Sequence, residues 1–170
     1  MKRAGPAAAG AVRLRLALQG VDFDGRPAAA TLRRWLRRAL DAEAEITLRF
    51  VGAREGRRLN RQFRGRDYAT NVLTFDYGRA PIVADIVLCA PVLAREARDR
   101  GKPLRAHLAH LVIHGALHAR GLRHDTAAAA RRMERLESRL LAEFGYPDPY
   151  SEACPAPESA RRTRRRPHRA

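Results

Sequence analysis

His107 to Asp125 reads HLAHLVIHGALHARGLRHD, and the rest of the chain is organised around this stretch. Between Arg105 and Arg120 it carries no formally charged side chain, and its Leu, Val, Ile and Ala residues point to every side of a helical wheel. A helix that is apolar all round is a buried helix. Five of the six histidines lie in this stretch, four of them between Arg105 and Arg120. At about 100° per residue, His107, His110, His114 and His118 fall within one stripe of roughly 80°. Polar rings inside a core need partners, because burying them unpaired costs free energy.

His114 and His118 are four residues apart, so one turn of helix stacks their imidazoles on one face, within reach of a single ion. Gly121 then suits the position just past a helix end, where a residue without Cβ turns left-handed and reverses the chain. That reversal brings His124 back over the first two. The H-x3-H-x5-H array offers three neutral nitrogens and leaves a fourth position open, which is the pattern of a catalytic zinc rather than a structural one. One Zn2+ per chain at His114, His118 and His124 is therefore expected. A His110/His114 pair has the same spacing, but it lies deeper in the helix and no turn supplies a third ligand. His107 and His110 read as buried histidines, bonded to backbone or supporting the ligands from behind. A metallopeptidase of the HExxH type has its Glu directly after the first His. Gly115 stands there, which disfavours a peptidase-like hydrolase.

The 170 residues suit one domain that buries roughly 70% of its unfolded surface without staples. Cys89 and Cys154 lie in dissimilar contexts with no Cys-x-x-Cys spacing, which fits a reducing cytosol and a cytoplasmic protein. The opening MKRAGPAAAGAVRLRLAL is no signal peptide, since Pro6, Gly10, Arg13 and Arg15 interrupt any apolar core. No apolar run is long enough to span a membrane. Net charge is +16, and the Arg-rich end from 161 to 170 holds only six of the 34 basic residues. The body is basic without it, and a polyanion such as nucleic acid is the natural partner.

Residues 1–11 read as a disordered N-terminus, 12–146 as the folded domain and 147–170 as a flexible Arg-rich tail. Within the domain, Val12–Leu18 and Glu45–Val51 alternate as half-buried strands do, and Asn71–Phe75 and Ile82–Cys89 read as two more. Pro27–Leu40 reads as an amphipathic helix with Trp35 inward. Ala53–Arg64 is a short helix packing Leu59 and Phe63, with Arg54, Arg57, Arg61 and Arg64 along one side. That stripe is either a solvated face or one aimed at phosphates. A helix over 91–100 ends at Gly101, Pro103 opens the His helix, and a last helix over 126–144 buries Met133, Leu136, Leu140, Leu141 and Phe144. The expected fold is a single α+β domain, with a mixed sheet of about four strands, a central buried His-bearing helix and surrounding helices.

Three blocks, LNRQFRGRDYATNVLTF at 59–75, ADIVLCAPV at 84–92 and the histidine stretch at 107–125, stand in the order found in the YbeY family, which the chain resembles. That family comprises bacterial rRNA maturation factors described as metal-dependent endoribonucleases. The resemblance implies zinc at His114, His118 and His124 and a functionally important, catalytic arginine at Arg64; the arginine stripe, read as aimed at phosphates, adds RNA contacts from Arg57, Arg61 and Arg64. It also implies hydrolysis of single-stranded RNA in 16S rRNA 3′-end maturation and ribosome quality control. The partners would be rRNA, the ribosomal subunit and ribosomal or assembly proteins, with no membrane. A guanidinium offers a planar fork to a phosphate and stabilises charge developing there. Arg123 departs from the family's usual acidic or small residue before the third histidine, leaving the ligand spacing intact. Asp85 reads as a structural carboxylate. A non-catalytic assembly factor with a structural metal is the rival reading.

Overall fold

The computed structural model describes residues 13–151. The expected disordered N-terminus and the tail from 152 onward, with Cys154, lie outside them. Nine elements follow one another: β1 (Leu14–Gly20), α1 (Ala29–Ala39), β2 (Ala44–Val51), α2 (Ala53–Arg64), β3 (Val72–Arg79), β4 (Ile82–Cys89), α3 (Ala90–Asp99), α4 (Leu104–Ala119) and α5 (Ala127–Glu143). The strands form one mixed sheet in the order β1-β2-β4-β3, parallel except for the β3–β4 pair. This is the α+β domain read from the sequence, with four strands and the histidine helix at its centre. β3 runs four residues beyond the expected Phe75, because it continues to pair with β4 as far as Arg79↔Ile82 across a bulge between Asp76 and Gly78.

Strand patterning follows from which faces are covered. β2 alternates buried and more open residues over Ala44–Phe50, as a strand with one fully packed face does. The C-terminal half of β4, Ile86 to Cys89, is buried without interruption because both faces are covered there. Ile86 and Leu88 point into a large core with α1, α4 and α5, while Val87 and Cys89 point to a smaller cluster on the other face, beneath α2. The main core includes Leu32, Trp35 and Leu36 of α1 and Leu108, Val112, Ile113 and Leu117 of α4.

α4 touches α1, α3, α5, β3 and β4. An uncharged, all-round apolar helix is what that position requires. Gly115 packs directly against the sheet. A Cβ there would stand 2.8 Å from Ile86 Cγ2 and 3.1 Å from Thr74 Oγ1, so position 115 has no room for a side chain. α4 ends as its sequence predicts. Gly121 adopts φ +94°, its N–H bonds to the His118 carbonyl at 2.8 Å, and the Leu122 N–H bonds to the Leu117 carbonyl at 3.0 Å. This paired closure turns the chain back along the helix it has just left.

Two expectations change. Phe63 rests edge-on against Phe75, with ring centroids 4.9 Å apart, yet stays half exposed because no core reaches the last turn of α2. Residues 147–151, read as the start of the tail, lie against the domain. Ser138 Oγ donates to Asp148 at 2.8 Å, Lys102 donates to the Pro149 carbonyl, and Tyr150 reaches α4 and α5. No helix among the described residues is long and apolar enough to cross a membrane.

Candidate metal centre

The turn at Gly121 brings three imidazoles together. His114, His118 and His124 each offer a ring nitrogen within 4.8 Å of the others. His114 and His118 ring centroids are 4.5 Å apart, and His124 lies 5.0 Å from His118 and 5.8 Å from His114. Two of the rings have their tautomers set by neighbours. His114 Nδ1–H donates to Glu137 Oε1 at 2.7 Å, and His118 Nδ1–H donates to the Leu122 carbonyl at 2.9 Å. Each neutral ring then presents an unprotonated Nε2, and these two atoms face each other at 3.0 Å. Two nitrogens bound at about 2.0–2.1 Å to one tetrahedral ion would be roughly 3.3 Å apart. The donor set and its spacing therefore suit a divalent cation that favours imidazole.

Electrostatics favours the same protonation. Burial, then the neighbouring His114, His124 and Arg123, pushes the His118 imidazolium down to about 4, so the ring is neutral at pH 7. Burial alone would raise the Glu137 carboxyl. Bonds from His110 and His114, together with Tyr150, instead hold it at about 2, an ionised carboxylate. Glu137 is completely buried and spends its lone pairs on His110 Nε2 at 3.1 Å, His114 Nδ1 at 2.7 Å and the Tyr150 hydroxyl. His110, His114 and Glu137 also form a second convergent trio. The two trios share His114 through opposite sides of its ring, so Glu137 is placed to orient His114 toward His118.

Arg123 fastens the ligand-bearing turn. Its guanidinium donates to the carbonyls of His118 (2.9 Å) and Leu122 (3.0 Å) and to Asp76 on β3 at 2.9 Å. Its hydrogen bond to Asp76 holds that carboxyl below the ordinary carboxylate range. A cavity of about 250 Å3 opens beside His114 and His124, lined also by Ala130, Met133, Glu134, Glu137 and Tyr150.

His107, two turns before His114 on α4, is a buried partner of Glu96 at 2.8 Å, and Glu96 is also held by Asn71 at 3.1 Å. Arg64 is placed differently. It lies exposed at the end of α2, which packs on the face of the sheet away from α4. Arg57 on the same helix is held by Asp67 through two bonds of 2.9 and 2.7 Å, whereas Arg61 and Arg64 make no ion pair among the described residues. Asp85 sits on that same face and accepts from Tyr77 at 3.0 Å. Glu137 and Tyr150 were not legible as site residues. The available signal was Glu137's position four after Met133 and three before Leu140, on the apolar stripe of α5.

The family model described as Endoribonuclease YbeY matches residues 21–145. The chain belongs to the YbeY family. Relatives named Endoribonuclease YbeY include one from Aromatoleum aromaticum, 56% identical over 126 residues that cover 74% of this chain and 82% of that protein. Another, from Methylibium petroleiphilum, is 55% identical over 142 residues, 81% of this chain and 95% of that one. The solution structure of TM1509 from Thermotoga maritima matches with a TM-score of 0.52 at 22% identity, over 80% of this chain and 99% of that chain, a likeness of fold. The segment matched to the YbeY family takes in the whole histidine turn and Glu137, and stops short of Tyr150.

Proposed function

We infer that this chain is an endoribonuclease that hydrolyses phosphodiester bonds of single-stranded RNA, acting in 16S rRNA 3′-end maturation and ribosome quality control in the cytoplasm. One zinc ion would be held by His114, His118 and His124. The observation that carries the reading is the facing pair of Nε2 atoms, 3.0 Å apart, with His124 turned toward them. When bound, the metal supplies Lewis-acid chemistry and activation of water.

The chain's own groups do the rest. Glu137 and the Leu122 carbonyl hold the Nδ1 protons of His114 and His118, fixing both rings with their second nitrogens free. The adjoining cavity gives the scissile phosphate access to His114 and His124. Arg64 serves as the phosphate-binding arginine, with Arg61 beside it and Arg57 braced by Asp67. Relatives carrying the name Endoribonuclease YbeY support RNA as the substrate, and so does the +16 charge of the chain. A peptidase base directly after His114 has no support, because position 115 has no room for a side chain.

The test is metal content and RNA cleavage measured on the same preparations. About one zinc per chain is expected, with cleavage of single-stranded RNA that His114→Ala, His118→Ala or His124→Ala abolishes along with the metal. Full zinc retention in all three variants would overturn the ligand set. Zinc without cleavage by the wild type would favour an assembly factor with a structural metal.

A further inference from the structure

The face of the sheet opposite the histidines carries an exposed group of aromatic rings that the fold does not explain. Phe63 is 52% exposed, Tyr68 52% and Tyr77 65%. Phe63 leans on Phe75, the residue opposite Asp85 in the β3–β4 register. Tyr77, two residues on, donates to Asp85 from that same face. Tyr68 is tied down by Asn60, whose side chain donates to its carbonyl at 2.8 Å, and its hydroxyl accepts from Arg66 at 3.1 Å. Arg66 bonds to Tyr68, and Arg61 and Arg64 lie on the last turn of α2 with Phe63; none of the three makes an ion pair among the described residues, while Arg57 neutralises Asp67.

We propose that this face, built from Phe63, Tyr68 and Tyr77 with Arg61, Arg64 and Arg66, is a stacking platform for single-stranded RNA. A buried protein interface would need acids to meet the three free guanidiniums, or would leave their charges unpaired. An RNA strand supplies both complements, phosphates for the arginines and base faces for the rings. Duplex RNA does not, because its bases are already stacked. β3 is one of the two edge strands, with α4 on one face and the rings on the other. A strand seated on the rings therefore reaches the histidines by crossing that edge. The platform rests on RNA being the partner and not on the cleavage chemistry.

The experiment measures equilibrium binding of a short single-stranded RNA with phosphorothioate linkages, across a range of salt, to the full chain. A Phe63→Leu/Tyr77→Leu double variant keeps apolar bulk but loses the flat rings. Its affinity is expected to fall roughly 5-fold or more, with the slope of affinity against salt unchanged. Arg64→Ala should lower the salt slope. An abasic strand of equal length should bind both proteins equally and more weakly. Thermal unfolding establishes that the variants are folded. Wild-type affinity in the double variant, or equal losses on the abasic strand, would overturn the platform. Ring-dependent binding by a wild type that cleaves nothing would leave the platform standing and remove the nuclease reading instead.

Discussion

Glu137 Oε1 accepts the Nδ1 proton of His114 at 2.7 Å, across 23 residues of sequence and from a site without solvent contact. A carboxylate so placed sets which nitrogen of the ring stays bare. Glu137→Ala is expected to weaken zinc binding by roughly 10- to 100-fold, the usual effect of losing a partner that orients a ligand. Glu137→Gln, which keeps an acceptor oxygen, should lose less. Competition against a chromophoric chelator measures both, and equal zinc affinity in Glu137→Ala and the wild type would show that His114 needs no support.

Arg123 joins the ligand turn to β3 through Asp76 at 2.9 Å, in a pair that is largely open to solvent. An exposed ion pair contributes at most about 1 kcal/mol, so Arg123→Ala should barely move the unfolding midpoint. Its effect belongs to the turn, where the His118 and Leu122 carbonyls each lose one of two donors. Amide hydrogen exchange over residues 120–125 should quicken in metal-free protein, while exchange in β2 and β4 stays the same.

Gly115 meets Ile86 and Thr74 so closely that an added methyl must displace them. Gly115→Ala should destabilise the protein by about 1–3 kcal/mol through overpacking, read as a lower midpoint in urea. Ile86→Val in the same chain should restore part of the loss. A fully additive double variant would mean that the strain is taken up elsewhere.

His107 is held neutral by burial, which outweighs the charge of Glu96 and lowers its basicity below the ordinary value of 6.5. The unfolded chain then binds a proton in a range where the folded one does not. Stability conferred by this residue is complete above about pH 6.5 and declines as the pH falls below that toward the lowered folded value. Unfolding free energies at pH 7.5 and 5.5 should differ less in His107→Gln than in the wild type. An unchanged difference would assign the acid sensitivity to other groups.

The elements and the ligand spacing follow from the chain alone, because both depend on local chemistry. Charge-free apolar residues all round make α4 a buried helix, a four-residue step stacks His114 on His118, and a residue without Cβ at 121 permits the left-handed turn. Alternation marked β2, and continuous burial followed for the end of β4. What those residues meet depends on packing between elements. An apolar stripe on α5 directs position 137 inward, but only the crossing of α5 over α4 sets its carboxylate against His110 and His114. The same holds for Tyr150, which arrives from a Pro-rich segment with no periodicity to read. The arginines of α2 show a stripe in sequence, yet the order β1-β2-β4-β3 and the side on which α2 packs put them across the sheet from the histidines. Periodicity reports the direction a side chain faces within its own element, whereas the partner it finds depends on how separate elements pack.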